Sequence, residues 1–460
     1  MNATETAQPP RAPRASDGHV VEVGLWVAYS PDPRLSGTRI APGPTGEVTL
    51  GRGAEATHPI DDRWLSRVHL KAARSPGGEW SVEDLDTRNG TFVNRSRVPR
   101  ATLRCGDVVR LGATLLVADR GVPPEDDLGI VGRSAALSRI RRAVGECARA
   151  GQPVHVTGPT GAGKEMVARA LHLASGRRGE LLAVNMATVT RDLAESQLFG
   201  HRRGAFTGAA ADHVGAFDAA SGRTLLLDEI GELPLELQGK LLRVVETGDV
   251  HRLGDSAPHR VDVQLVTATH RDLPALVAAE AFREDLYFRI AQTVIVVPPL
   301  AERRIDIVPL VDHFVTAGGR TLRELSTATE EAPWHTAELL EPLMAYGWPG
   351  NVRELRSEIA RATASGGVTG AASRLSAQIL SARAAVAEAP PVRSATEAAR
   401  YEALLTDPAA LVAAIRTETG GRIKAFAESA AAALGKPWRT VHRDVYRILT
   451  ADDLKSLRDK

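Results

Sequence analysis

The hydrophobic pattern changes character along the chain. From Val20 to about Asp119, apolar and β-branched residues come in short runs (HVVEVGLWV, GEVTLGR, EWSVEDL, GTFVN, DVVRLGATLLV) punctuated by Gly, Pro, Asn and Asp. Closely spaced strands with turn residues between them predict an all-β sandwich. From about Leu128, helical stretches such as SAALSRIRRAVGECARA alternate with the apolar runs PVHVTG, LLAVNM, RTLLLDE and VQLVTAT. That alternation predicts an α/β domain on a mainly parallel sheet. Beyond Pro299 the strand-like runs stop and the chain reads as helical to about Ser365. A stretch rich in Ala, Ser and Gly, with Pro390 and Pro391, reads as a linker, and the last segment is helical again. The expected organisation is a disordered tail at 1–18, a sandwich at 19–120, a linker at 121–128, an α/β subdomain at 129–300, a helical subdomain at 301–365, a linker at 366–396 and an all-α domain at 397–460.

Composition changes this picture little. The 460 residues are 43% apolar and 25% charged with a net charge of +1, so no global field drives the chain onto nucleic acid or an anionic membrane. The two cysteines, Cys105 and Cys147, have no metal-ligand or disulfide spacing. No apolar run reaches the roughly 18 residues of a membrane span, and residues 1–17 read as neither signal peptide nor anchor. A cytoplasmic location is expected.

The strongest chemical signal is HVTGPTGAGKE. Gly158, Gly161, Gly163 and Lys164 have phosphate-binding-loop spacing between an apolar run and the helical EMVARALHLA. Glycines let backbone N–H groups curl around phosphates, the helix N-terminus adds its dipole, and Lys164 reaches the β/γ-phosphates of ATP. A glycine-rich turn with an incidental lysine is the plainer alternative. Glu165 stands where a Ser or Thr usually ligates magnesium, so other groups and water must hold the metal. In RTLLLDEIGELP, Asp228 and Glu229 end a buried run. Acids there face the crevice where ligands bind, Asp228 suited to magnesium and Glu229 to orienting the attacking water, or the two merely cap a helix. His270, at the end of VQLVTATH, is either a γ-phosphate sensor or a loop residue. Arg283 and Arg289 in FREDLYFRI are either transition-state cations or a salt-bridged helix surface. In YGWPGNVREL, Asn351 is a helix N-cap with Glu354 as its capping-box partner, and Arg353 lies in the first turn.

Together these stretches resemble the AAA+ domain of the bacterial enhancer-binding proteins, which activate sigma-54 RNA polymerase. The resemblance runs from about Leu128 to Ser365, and its most specific mark is the intact surface-loop motif Gly204-Ala205-Phe206-Thr207-Gly208-Ala209. The resemblance implies an ATPase that uses ATP and magnesium, with Lys164 on phosphate and Asp228 and Glu229 as the magnesium and water-activating pair. It implies that Asn185 links Glu229 to nucleotide state, that Arg283 and Arg289 reach into a neighbour's site in a ring, usually a hexamer, that Arg353 is the lid sensor, and that the 204–209 loop contacts sigma-54. Glu165 is common in that family; His270 departs from its usual Asn.

TLGRG, DRWLSRVHLKA, DLDTRNGTFVN and LRCGDVVRLG resemble a forkhead-associated (FHA) domain. That family binds phosphothreonine peptides, and the resemblance places Arg52, Ser66 and Arg67 on the phosphate and Asn89 on the peptide backbone, with His69 supporting the loop. The C-terminal RIKAFAESAAAALGKPWRTVHRDVYRIL resembles, weakly, the helix-turn-helix that ends most enhancer-binding proteins. Arg439, Thr440, His442 and Arg443 then lie on its outer face toward enhancer DNA, or form the solvated face of a helical hairpin. The leading expectation is a sigma-54-dependent activator gated by a phosphothreonine-containing protein, a Ser/Thr kinase or its substrate, with sigma-54 RNA polymerase holoenzyme as target. The alternatives are a phosphopeptide-binding scaffold, or a DNA-binding repressor that uses ATP only for assembly.

Overall fold

The structure, a computed structural model, describes residues 22–121, 128–206, 209–326 and 334–364, with Leu404, 408–419, Phe426, Ala430 and Val445 in the C-terminal part. It falls into two compact units, 1–376 and 377–460.

The larger unit begins with the predicted sandwich. One sheet runs in the order Arg39–Ile40, Gly24–Tyr29, Thr114–Asp119, Val108–Leu111, Thr91–Val93, Ser96–Val98. The other runs His58–Pro59, Glu47–Gly51, Leu70–Arg74, Trp80–Asp84, Arg100–Leu103. Leu25, Val27, Leu50, Leu70, Trp80 and Leu116 alternate inward from both sheets to form its core, as expected when each strand buries one face.

The α/β subdomain holds a five-stranded parallel sheet in the order Leu182–Asn185, Thr224–Asp228, Gln264–Thr269, Val154–Thr157, Thr293–Val296. The last is an edge strand that the sequence reading did not single out. The central strands read as near-continuous apolar runs because helices cover both faces. His155, inside the sheet beneath the phosphate-binding loop, shows how dry that core is. Burial, helped by the charge of Lys164, depresses its pKa to about 4, and Nδ1 shares a 2.9 Å hydrogen bond with Thr267 Oγ1.

The helical subdomain follows: Ile307–Ala317, Leu322–Ser326, Trp334–Ala345 and Asn351–Ala364. Its core includes Leu340, Leu343, Trp348, Leu355 and Ile359. In the second unit, Pro408–Thr419 is helical, and Leu411, Ile415, Phe426, Ala430 and Val445 are buried. Arg439, Thr440, His442 and Arg443 lie outside the described residues. Among the described residues no helix is long and apolar enough to cross a membrane.

Candidate nucleotide and phosphopeptide sites

The phosphate-binding loop lies between the strand Val154–Thr157 and the helix Lys164–Ser175. Gly161 adopts φ +75°, and a Cβ there would sit 2.4 Å from the Gly350 carbonyl, so only glycine lets the helical subdomain close this tightly. Lys164 is buried, and its Nζ donates to the carbonyls of Gly158 and Pro159 at 3.0 and 3.4 Å. Burial lowers its pKa, and the charges of Glu229 and Asp228 oppose that shift. The ammonium and the two carboxylates therefore lie near enough to act on one another electrostatically.

Asp228 ends its strand and pairs in register with Asn185 on the neighbouring strand. That register sets the contact Asn185 makes in this structure. Asn185 Nδ2 faces Asp228 Oδ2 at 3.5 Å rather than reaching Glu229. Glu229 stands at φ +54°, which turns it away from Asn185 and toward the end of Gln264–Thr269. There its Oε2 accepts from His270 Nδ1 at 2.8 Å, His270 N at 3.3 Å and Thr269 Oγ1 at 3.2 Å. A non-glycine residue in this left-handed region stores strain, a condition that clusters at functional sites.

The two acids differ electrostatically. Burial, then the Glu229 charge, raises the pKa of Asp228. Burial also opposes ionisation of Glu229, but the His270 side-chain and backbone donors with Lys164 outweigh it and hold Glu229 below the usual range. Paired carboxylates pushed apart in this way point to distinct chemical roles. One carboxylate at the strand end, with further ligands from nucleotide and water, fits magnesium's preference for few protein oxygens. Glu165, which the sequence puts at the usual hydroxyl position, is exposed and paired with Arg169 at 2.7 Å.

The helical subdomain closes over the loop. Asn351 is not a simple cap: it stands at φ +54°, its Nδ2 donates to Thr160 O at 3.0 Å, and its Oδ1 accepts from Leu300 N at 2.8 Å. Glu354 instead accepts from Gly350 N at 2.8 Å. Arg353 N donates to Gly161 O. Arg303, which the sequence reading missed, is buried, with Nη2 donating to Ala162 O at 2.6 Å and Nη1 3.7 Å from the fully buried Asp306. Its bond to the phosphate-binding loop spans 141 residues, so no local pattern marks that contact.

Arg283 pairs with Asp285 at 2.7 Å and its backbone N–H bonds Gln238. Arg289 is half-buried on the helix Glu284–Ile290. Among the described residues, neither forms a hydrogen bond or ion pair with Lys164, Asp228 or Glu229. In the 204–209 loop, Gly204 N donates to Ala209 O at 2.9 Å, and Phe206 is exposed with its ring 4.9 Å from that of His201. Thr207 and Gly208 lie outside the described residues.

On the sandwich, three loops meet at one end. Arg52 N donates to Ser66 O at 3.0 Å and Gly53 N to Arg67 O at 2.9 Å. Asn89 Nδ2 donates to Trp64 O at 2.7 Å. Beneath them, buried His69 accepts from Ser66 N at Nδ1, leaving Nε2–H to face Gly90 O at 3.3 Å. Burial lowers the His69 pKa, against the pull of the Gly90 carbonyl and Asp84, so it is the neutral ring that ties the loops together. Arg52, Arg67 and Asn89 stay exposed around the half-buried Ser66.

Comparison with known proteins bears on both sites. Residues 130–296 match a sigma-54 interaction domain, 48–112 an FHA domain and 301–390 an AAA+ ATPase lid domain. The chain is 44% identical over 241 residues to the DNA-binding transcriptional regulator NtrC of Rhizobium meliloti (strain 1021), covering 52% of this chain and 48% of that one. It is 40% identical over 325 residues to the nitric oxide reductase transcription regulator NorR1 of Cupriavidus necator, covering 66% and 60%. It is 44% identical over 234 residues to the formate hydrogenlyase transcriptional activator of Salmonella typhimurium (strain SL1344), covering 51% and 33%. The chain spans about half the length of the curated relatives it matches.

Proposed function

We propose, for a chain that belongs to the sigma-54-dependent enhancer-binding activators and carries an FHA domain at its N-terminal side, that it hydrolyses ATP in a ring to remodel sigma-54 RNA polymerase holoenzyme. The observation that carries this reading is the division of labour between Asp228 and Glu229. One acid has a raised pKa, while the other is fixed in a left-handed turn and kept ionised by His270.

In the proposed reaction, water attacks the γ-phosphorus, the bond to the β–γ bridging oxygen breaks, and ADP and phosphate leave. Glu229 orients the water and accepts its proton. Lys164 and the loop amides neutralise charge on the phosphates. Bound magnesium supplies further charge neutralisation there, with Asp228 as its protein ligand. Arg283 and Arg289, idle toward their own site, complete a neighbour's. Hydrolysis moves the 204–209 loop, whose exposed Phe206 meets sigma-54 beside Thr207. Phosphothreonine in a partner protein engages Arg52, Ser66, Arg67 and Asn89, and the C-terminal segment places Arg439, Thr440, His442 and Arg443 on enhancer DNA.

The surface-loop assignment is tested by affinity capture of purified sigma-54 on the full-length chain during ATP turnover. The wild-type chain is expected to retain sigma-54. Thr207→Ala is expected to lose it while hydrolysing ATP at the wild-type rate. Equal capture by both would remove the loop from the mechanism.

A further inference from the structure

The sandwich touches the ATPase on both sides of its hinge. On the lid side, Arg110 Nε pairs with Glu341 Oε2 at 2.9 Å on the helix Trp334–Ala345. Glu341 is 3% exposed, and its other carboxylate oxygen is buried without a hydrogen-bond partner, so Arg110 is its main compensation. Removing one member of such a pair leaves a costly uncompensated charge. Where the lid begins, Ile305 N donates to Asp119 Oδ2 at 3.0 Å and Arg304 Nη1 to Gly106 O at 3.0 Å. On the α/β side, Arg133 Nη1 donates to Ser36 O at 2.7 Å and Ala135 N to Arg120 O at 2.7 Å.

From these contacts we infer that the FHA domain is a strut that locks the lid against the α/β subdomain and so restrains turnover, with Arg110–Glu341 as its releasable end. Lid rotation relative to the α/β subdomain must break contacts on one side or the other. The lid carries Asn351 and Arg353 against the phosphate-binding loop, so its freedom bears directly on nucleotide exchange. The releasable end also adjoins the reader. The Arg110 guanidinium lies 4.1 Å over the ring of Phe92. Phe92 belongs to the strand Thr91–Val93, which continues directly from Asn89 and Gly90 of the peptide-facing loops. Input and restraint thus sit on paired neighbouring strands, with Arg110 directly opposite Phe92. The inference rests on the ATPase reading above, because the restrained quantity is hydrolysis.

The test uses the full chain in four forms: wild type, Arg110→Glu, Glu341→Arg and the double exchange. Two readouts are taken, amide hydrogen exchange over 334–345 and steady-state ATP hydrolysis. Each single variant is expected to speed exchange in that helix and raise hydrolysis about tenfold, within the usual range of coupling between sites. The double exchange, which restores an ion pair, is expected to return both to wild type. Exchange over the sandwich core reports whether a single variant has merely unfolded. Hydrolysis intact but unchanged in the single variants overturns the strut, whatever the exchange shows. No hydrolysis in any form overturns the ATPase reading and the strut with it.

Discussion

Replacing Glu229 with Gln is expected to lower ATP hydrolysis about a thousandfold while ATP still binds, a loss in the range of a positioned general base. Gln keeps the volume and can still meet Thr269 and His270, so the turn at 228–230 should survive. What it lacks is the negative charge and the capacity to accept the water's proton. In the proposed mechanism ATP is held by Lys164 and the loop backbone, which the substitution leaves alone. Steady-state hydrolysis alongside fluorescent-ATP titration checks this; a variant that turns over at even a tenth of the wild-type rate would remove Glu229 from the chemistry. The same residue gives a pH dependence. His270 is the main force lowering the Glu229 pKa. Without it, the carboxylate protonates at higher pH. In His270→Ala the acid limb of the hydrolysis profile should therefore move upward in pH; no shift, or a downward one, contradicts the assignment.

Arg52→Ala is expected to weaken phosphothreonine-peptide binding by about 2 kcal/mol, or ~30-fold, while leaving the unphosphorylated peptide unaffected. A phosphate group near −2 charge needs a fixed cation and short donors. Arg52 is exposed on a loop whose backbone is pinned by its own N–H to Ser66 O and by the next residue to Arg67 O, so the base of its side chain is held at the end of the sandwich. Fluorescence titration with matched peptides separates the outcomes. Equal losses for both would mean that the loop collapsed, and no loss would mean that phosphate is read elsewhere.

Much of this was legible because the informative patterns are local. The glycines and Lys164 follow one another in a short loop. Asp228 and Glu229 end an apolar run, and the sandwich announces itself through short strands and turns. What was not legible depends on geometry across the fold. The edge strand Thr293–Val296 is an apolar run too short to stand apart from the helix before it. Asn351 reads as a cap by position, yet its left-handed backbone aims its side chain at Thr160. Asn185 meets Asp228 instead of Glu229 because strand register and the turn at Glu229 decide the contact. Arg303 with Ala162, Asp306 with Ser134 and Arg110 with Glu341 each join residues far apart in sequence, and nothing in their immediate neighbours predicts the meeting.

The measurement that bears most directly on the account is promoter melting by purified sigma-54 holoenzyme, with this chain and its enhancer DNA supplied together. The account predicts melting that requires ATP, fails when a non-hydrolysable analogue replaces it, and fails with Glu229→Gln. Melting that proceeds equally well with the analogue would contradict it.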